Sequence, residues 1–90
     1  MLYYQDMESS ATKKAGSNMV GENVRRLRLE RGLTQEELAQ RVGVYQSAIG
    51  QVERGETNPL VSTLIQIARA LDVEPADLLR SPEASSETVQ

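Results

Sequence analysis

The chain has no cysteine and no histidine. Without thiols there is neither a disulfide framework nor a thiolate metal site, which excludes a cross-linked secreted scaffold and a zinc finger and makes a reducing cytoplasm the expected setting. Without histidine the usual general base is missing. Serines with no base beside them are not nucleophiles, and the acidic residues are scattered among arginines rather than clustered, so no catalytic residue, metal or cofactor is expected. Long apolar runs are also lacking. Nothing approaches the roughly 18 consecutive apolar residues of a membrane span, and the N-terminus has no basic-then-apolar signal-peptide plan. No stretch shows the sustained β-branched alternation of a strand. The net charge is −3, which weighs against a phosphate-rich partner. The distribution of charge softens that objection: Arg25, Arg26, Arg28, Arg31, Arg41 and Arg54 precede Glu56, Asp72, Glu74, Asp77, Glu83 and Glu87, so a basic side and an acidic end are expected.

Ninety residues suit one small domain. Residues 1–18, "MLYYQDMESSATKKAGSN", hold no helical or strand period, and residues 81–90, "SPEASSETVQ", are rich in Ser, Glu and Thr; both read as flexible tails. Lys13 and Lys14 are either a phosphate-contacting arm or part of a leader without a role, and Leu2, Tyr3 and Tyr4 are a candidate contact with a partner chain. Residues 19–80 carry most of the aliphatic side chains, enough for a small core.

Within that segment the pattern is helical, and about five short helices are expected. The first runs from Val20 to Arg31, with Val24, Leu27 and Arg31 on one stripe, Ser17 or Asn18 as cap and Gly32 as stop. The second is marked by Thr34 and Glu37, spaced as a capping box, and runs from Gln35 to about Val42. Gly43 suits a left-handed turn, Val44 gives an apolar anchor, and a third helix follows from Tyr45 or Gln46 to Arg54, stopped by Gly55. After Asn58 and Pro59 comes a fourth helix with Leu60, Leu64, Ile67, Ala68 and Leu71 as its apolar stripe, widened by Val61 and Ile65. Pro75 opens a short fifth helix that buries Leu78 and Leu79. The fold class is all-α.

The run "LTQEELAQRVGVYQSAIGQVERGETNP" resembles the helix-turn-helix of the lambda and 434 repressor and Cro type, the Xre family of small regulators. The likeness covers about Val20 to Leu79, with Gln35, Leu38, Ala39, Val42, Gly43, Val44, Ile49 and Val52 at the family's spacings. It implies a compact five-helix domain whose second and third helices form the motif. Ala39 sits where those two helices pass closest, and Leu38, Val42, Ile49 and Val52 pack the angle between them.

At about 100° per residue from Gln46, Ala48, Ile49 and Val52 fall on one core-facing arc, while Gln46, Ser47, Gly50, Gln51 and Arg54 fill the opposite one. That face has amide and hydroxyl groups and no carboxylate, whereas an ordinary solvated face mixes Lys and Glu. A glutamine amide presents the donor and acceptor that match adenine N6 and N7 in the major groove. Gln46, in the first turn, is the leading base reader; the resemblance implies Ser47 and Gln51 beside it, with Gly50 allowing close backbone approach. Gln35, at the start of the second helix, is the first phosphate contact expected. The resemblance adds Arg54 and Asn58. Tyr45 departs from the family's Ser or Thr cap, and its hydroxyl becomes a candidate phosphate contact instead. The resemblance also implies that Arg28 and Glu53 form a buried ion pair linking the first and third helices.

Together these readings point to a sequence-specific transcriptional regulator, a repressor acting as a homodimer on a palindromic operator in double-stranded DNA. Val61, Ile65, Leu78 or Leu79 are candidates for the pairing surface, the alternative being that the same residues close the small core. The alternative is an antitoxin or restriction–modification controller that binds DNA and a partner protein. No membrane association is expected.

Overall fold

The structure, a computed structural model, describes residues 19–81. The expected tails, apart from Ser81, lie outside the described residues, as do Ser17 and Asn18 as caps, the Lys13–Lys14 arm and Leu2, Tyr3 and Tyr4. Within the described residues the chain forms five helices and no strand. They are α1 (19–30), α2 (Gln35–Val42), α3 (Gln46–Glu53), α4 (Val61–Leu71) and α5 (Pro75–Leu78). None is long and apolar enough to cross a membrane.

The helix limits follow from local backbone chemistry. α2 starts with a complete capping box: Thr34 Oγ1 accepts from the Glu37 N–H at 3.0 Å, and the Thr34 N–H donates to Glu37 Oε1 at 2.8 Å. α5 starts with Pro75 at its first position, where a missing N–H costs nothing, and Glu74 N–H donates to Asp77 Oδ2 at 3.0 Å. Four helices end in one way. Gly32, Gly43, Gly55 and Asp72 adopt positive φ of 68°, 92°, 73° and 60° after α1, α2, α3 and α4. The next residue then donates back to a carbonyl five positions earlier: Leu33 to Arg28, Val44 to Ala39, Glu56 to Gln51 and Val73 to Ala68, all at 2.9–3.0 Å. This turn satisfies carbonyls that a helix end leaves unpaired and sends the chain off sharply. After α1, α2 and α4 that next residue is apolar and packs on the core. After α3 it is Glu56, which is exposed.

The core is one cluster drawn from every helix. Val20, Val24, Leu27, Leu33, Leu38, Ala39, Val42, Ile49, Val52, Ile67, Ala68, Leu71 and Leu78 are buried, with Val44, Leu64, Ala70 and Val73 against them. α2 packs on both α3 and α4, and α4 packs on α5. Three apolar expectations are corrected. Leu60 lies before α4 and is 72% exposed, Val61 is equally exposed, and Leu79 lies beyond α5 at 51%. A short helix can turn only one stripe inward, which Leu64, Ile67 and Leu71 occupy on α4 and Leu78 on α5. Arg31 lies just beyond α1 and is exposed, and Arg28 takes the buried position on that helix.

Two close approaches hold α1 in place. Gly21 is buried against the end of α3, where an added Cβ would fall on the Val52 carbonyl oxygen and lie 2.7 Å from that of Glu53. Asn23, only 1% exposed, donates through Nδ2 to the carbonyls of Leu78 at 2.9 Å and Arg80 at 2.7 Å. One buried amide thereby satisfies backbone acceptors at the end of α5 and ties the last helix to the first.

Candidate nucleic-acid interface

α2, the Gly43 turn and α3 form a helix-turn-helix, with α3 held to the core by Ile49 and Val52 and by the half-buried Ala48. Its position is fixed a second time by charge. Arg28 of α1 grips Glu53 with both arms of its guanidinium, Nε to Oε2 at 2.6 Å and Nη2 to Oε1 at 3.0 Å, and Nη1 donates to the Leu33 carbonyl at 2.8 Å. The side chains are 9% and 4% exposed. Paired charges with their remaining hydrogen bonds satisfied are the arrangement in which burial of ions is tolerated.

The pair continues outward as a chain of hydrogen bonds. Gln35 Nε2 donates to Glu53 Oε1 at 3.0 Å, and Gln46 Nε2 donates to Gln35 Oε1 at 3.4 Å. Gln46, the first residue of α3, is thus braced by Gln35, the first residue of α2, and Gln35 by the buried pair. One of the two N–H groups of the Gln35 amide is used within the protein. That bond leaves for an anion the N-terminus of α2, where the capping box uses the Thr34 and Glu37 amides and leaves those of Gln35 and Glu36 outside the box.

On the open face of α3, Gln46, Ser47 and Gln51 are all exposed, and no carboxylate lies among them. Gly50 is corrected in its placement: it is buried, not open, because the Arg54 guanidinium covers it, with Nη1 2.9 Å from where a Cβ would stand. Arg54 itself donates through Nε to Glu56 Oε2 at 2.8 Å and through Nη2 to Glu56 Oε1 at 3.1 Å. The hydrogen bond, and then the charge, of Glu56 raises the Arg54 pKa, and the hydrogen bond from Arg54 holds the Glu56 carboxyl below its ordinary value. Both groups therefore carry their charges at neutral pH.

Tyr45 is the residue before α3, 85% exposed, with extended backbone and no capping bond from its side chain. α3 nevertheless begins at Gln46, with the Ala48 N–H reaching the Tyr45 carbonyl at 3.0 Å. Asn58 is exposed in the segment that joins α3 to α4.

The expected basic side is thinner than the run of arginines suggests. Arg28 is spent on Glu53 and Arg54 on Glu56, while Glu30 takes Arg26 at 3.2 Å and Arg31 at 3.8 Å. Of the six arginines in that run, Arg25 and Arg41 are the two with no carboxylate partner among the described residues. Sequence reasoning missed Asn23 and Gly21, and placed Glu56 in the acidic end without its pairing to Arg54. The first two sit on an apolar stripe with no local signal, and the pairing had only the nearness of Glu56 to the "ERG" turn as a sign.

Residues 24–78 match the family described as helix-turn-helix. The chain is 48% identical over 61 residues to y4dJ, an uncharacterized HTH-type transcriptional regulator of Sinorhizobium fredii, covering 68% of this chain and 79% of that protein. Among solved structures it resembles the restriction–modification controller protein C.AhdI of Aeromonas hydrophila, with TM-score 0.70 and 41% identity over 71% of this chain and 97% of that one. It also resembles SinR, the master regulator for biofilm formation, in complex with DNA, with TM-score 0.65 and 34% identity over 68% of this chain and 98% of that one.

Proposed function

The chain belongs to the helix-turn-helix family of DNA-binding transcriptional regulators, and from that premise we propose that it is a repressor that binds a palindromic operator as a homodimer with α3 in the major groove. The observation that carries this reading is the exposed face of α3: Gln46, Ser47 and Gln51 without an acid among them, on a helix locked by the Arg28–Glu53 pair. Gln46 and Gln51 read base edges, Ser47 assists, and Gly50 lets the backbone approach once Arg54 moves aside. The N-terminus of α2 at Gln35, the Tyr45 hydroxyl, Arg54 and Asn58 contact phosphates and set the register.

A single such helix reads only a few base pairs, so two protomers on half-sites about one helical turn apart supply the remaining specificity. The exposed Val61 and Leu79 support a pairing surface near α4 and α5. Leu78 is fully buried and drops out of it. A second reading, a restriction–modification controller, is favoured by the C.AhdI likeness, which spans 97% of that chain.

Selection of bound sequences from a random duplex pool tests the proposal. The wild type should recover a two-fold symmetric motif. Gln46→Ala should relax one symmetric pair of positions by about 1–3 kcal/mol per half-site while binding to random DNA holds. Recovery of no motif, or equal losses on selected and random DNA, would overturn the base-reading role.

A further inference from the structure

We propose that Glu56 sets how strongly this protein grips the DNA backbone, by occupying the Arg54 guanidinium as an internal competitor for phosphate. The inference rests on the DNA-binding reading above and adds a residue that opposes binding. Arginine recognises a phosphate best with two parallel N–H groups. In Arg54 the Nε and Nη2 groups that form such a fork are both given to Glu56, one to each carboxylate oxygen. The remaining nitrogen, Nη1, lies over Gly50. The side-on edge of the guanidinium is closed to DNA until Glu56 lets go, and its charge is already paired; the end-on Nη1–Nη2 edge is what remains, against Gly50.

Glu56 is held in this position rather than merely passing nearby. Its N–H donates to the Gln51 carbonyl at 2.9 Å, in the turn that closes α3. The equivalent positions after α1, α2 and α4 hold the apolar residues Leu33, Val44 and Val73, which anchor on the core. Glu56 does no such packing. A carboxylate at the C-terminal end of a helix also opposes the helix dipole, which favours cations there. The fold thus carries an acid at a position where neither packing nor helix electrostatics calls for one, and its partner is the arginine next to the candidate groove-facing surface. Both side chains are more than half exposed, 57% for Arg54 and 53% for Glu56, so a phosphate can reach the pair. Releasing Arg54 also uncovers Gly50, coupling backbone grip to close approach of α3.

The test is a double-mutant cycle on the full chain: wild type, Glu56→Gln, Arg54→Gln and the double variant. Each is titrated by fluorescence anisotropy against a random-sequence duplex and against the sequence recovered by selection, at salt concentrations from about 50 to 200 mM. An exposed pair of this type shifts an equilibrium by about two- to fivefold. Glu56→Gln should therefore tighten binding by that factor on both duplexes, because a phosphate contact carries no sequence information. It should also steepen the dependence of log K on log salt by up to about 0.9 for each phosphate contact regained. In the Arg54→Gln background the same substitution should give a smaller gain and no change of slope. Equal gains in both backgrounds would reduce the effect to net charge and overturn the proposal. Weaker binding by Glu56→Gln would overturn it in the other direction, making Glu56 a support for Arg54. Absence of salt-dependent binding in every variant, wild type included, would instead sink the DNA-binding reading and take this inference with it.

Discussion

At the scale of single residues, the polar groups of this domain are divided between holding the helices and facing outward, and Gln35 stands on the border. Its nitrogen braces Glu53 while its oxygen faces Gln46, so a side chain at the start of α2 transmits the rigidity of a buried ion pair to the start of α3. Glu53→Ala should show how much depends on that pair. It strands the Arg28 guanidinium at a site where the side chain is 9% exposed, and removes the acceptor of Gln35. A loss of about 3–5 kcal/mol in unfolding free energy is expected from urea denaturation. A loss below about 1 kcal/mol would mean that water reaches the site and the pair is effectively a surface one.

At the scale of elements, the repeated helix ending explains why five short helices pack into so small a volume. A left-handed residue followed by a bond five positions back turns the chain within two residues, and glycine adopts that conformation without strain. α4 departs from the rule by using Asp72 at φ 60°. Its carboxylate sits at the negative end of the helix, and asparagine tolerates the left-handed region equally well. Asp72→Asn should therefore stabilise the domain by about 0.3–1 kcal/mol. The check is a higher urea midpoint with an unchanged m-value. A lowered midpoint would show that the carboxylate itself contributes to the turn.

At the scale of the whole molecule, the exposed Leu60, Val61 and Leu79 are more apolar surface around α4 and α5 than the single core uses. If these residues pair two protomers, Val61→Lys combined with Leu79→Lys should shift the dimer to monomer in sedimentation at micromolar concentration and leave the helical content unchanged. Operator affinity should fall with it, since two half-sites bound independently lose the shared gain of one dimer. A wild type that itself sediments as a monomer would overturn the dimer, and a dimer left intact in the double variant would place the pairing surface elsewhere.

The helices and the turns after α1, α2 and α3 were legible in the sequence because they depend on neighbours in the chain, whereas the start of α4 and the end of α5 fell one residue inside the expected apolar stripes. Thr34 and Glu37 are three residues apart, and Gly32, Gly43 and Gly55 mark their turns by their own backbone freedom. The apolar period likewise assigned Leu38, Ile49, Val52, Ile67 and Leu71 to the core. Which polar residues bond to one another across the fold was decided by the tertiary structure; of these only the Arg28–Glu53 pair was expected beforehand, from the family resemblance and not from a local pattern. Gln35 meets Glu53 across 18 positions, Arg28 meets Glu53 across 25, and Asn23 reaches the carbonyl of Leu78 across 55. Contacts at such separations leave no local period to read. Gly50 is a local case that the wheel alone left unread: it shares a face with Arg54 one turn on, and the side chain of a helical residue leans back over the turn before it, so Arg54 covers Gly50.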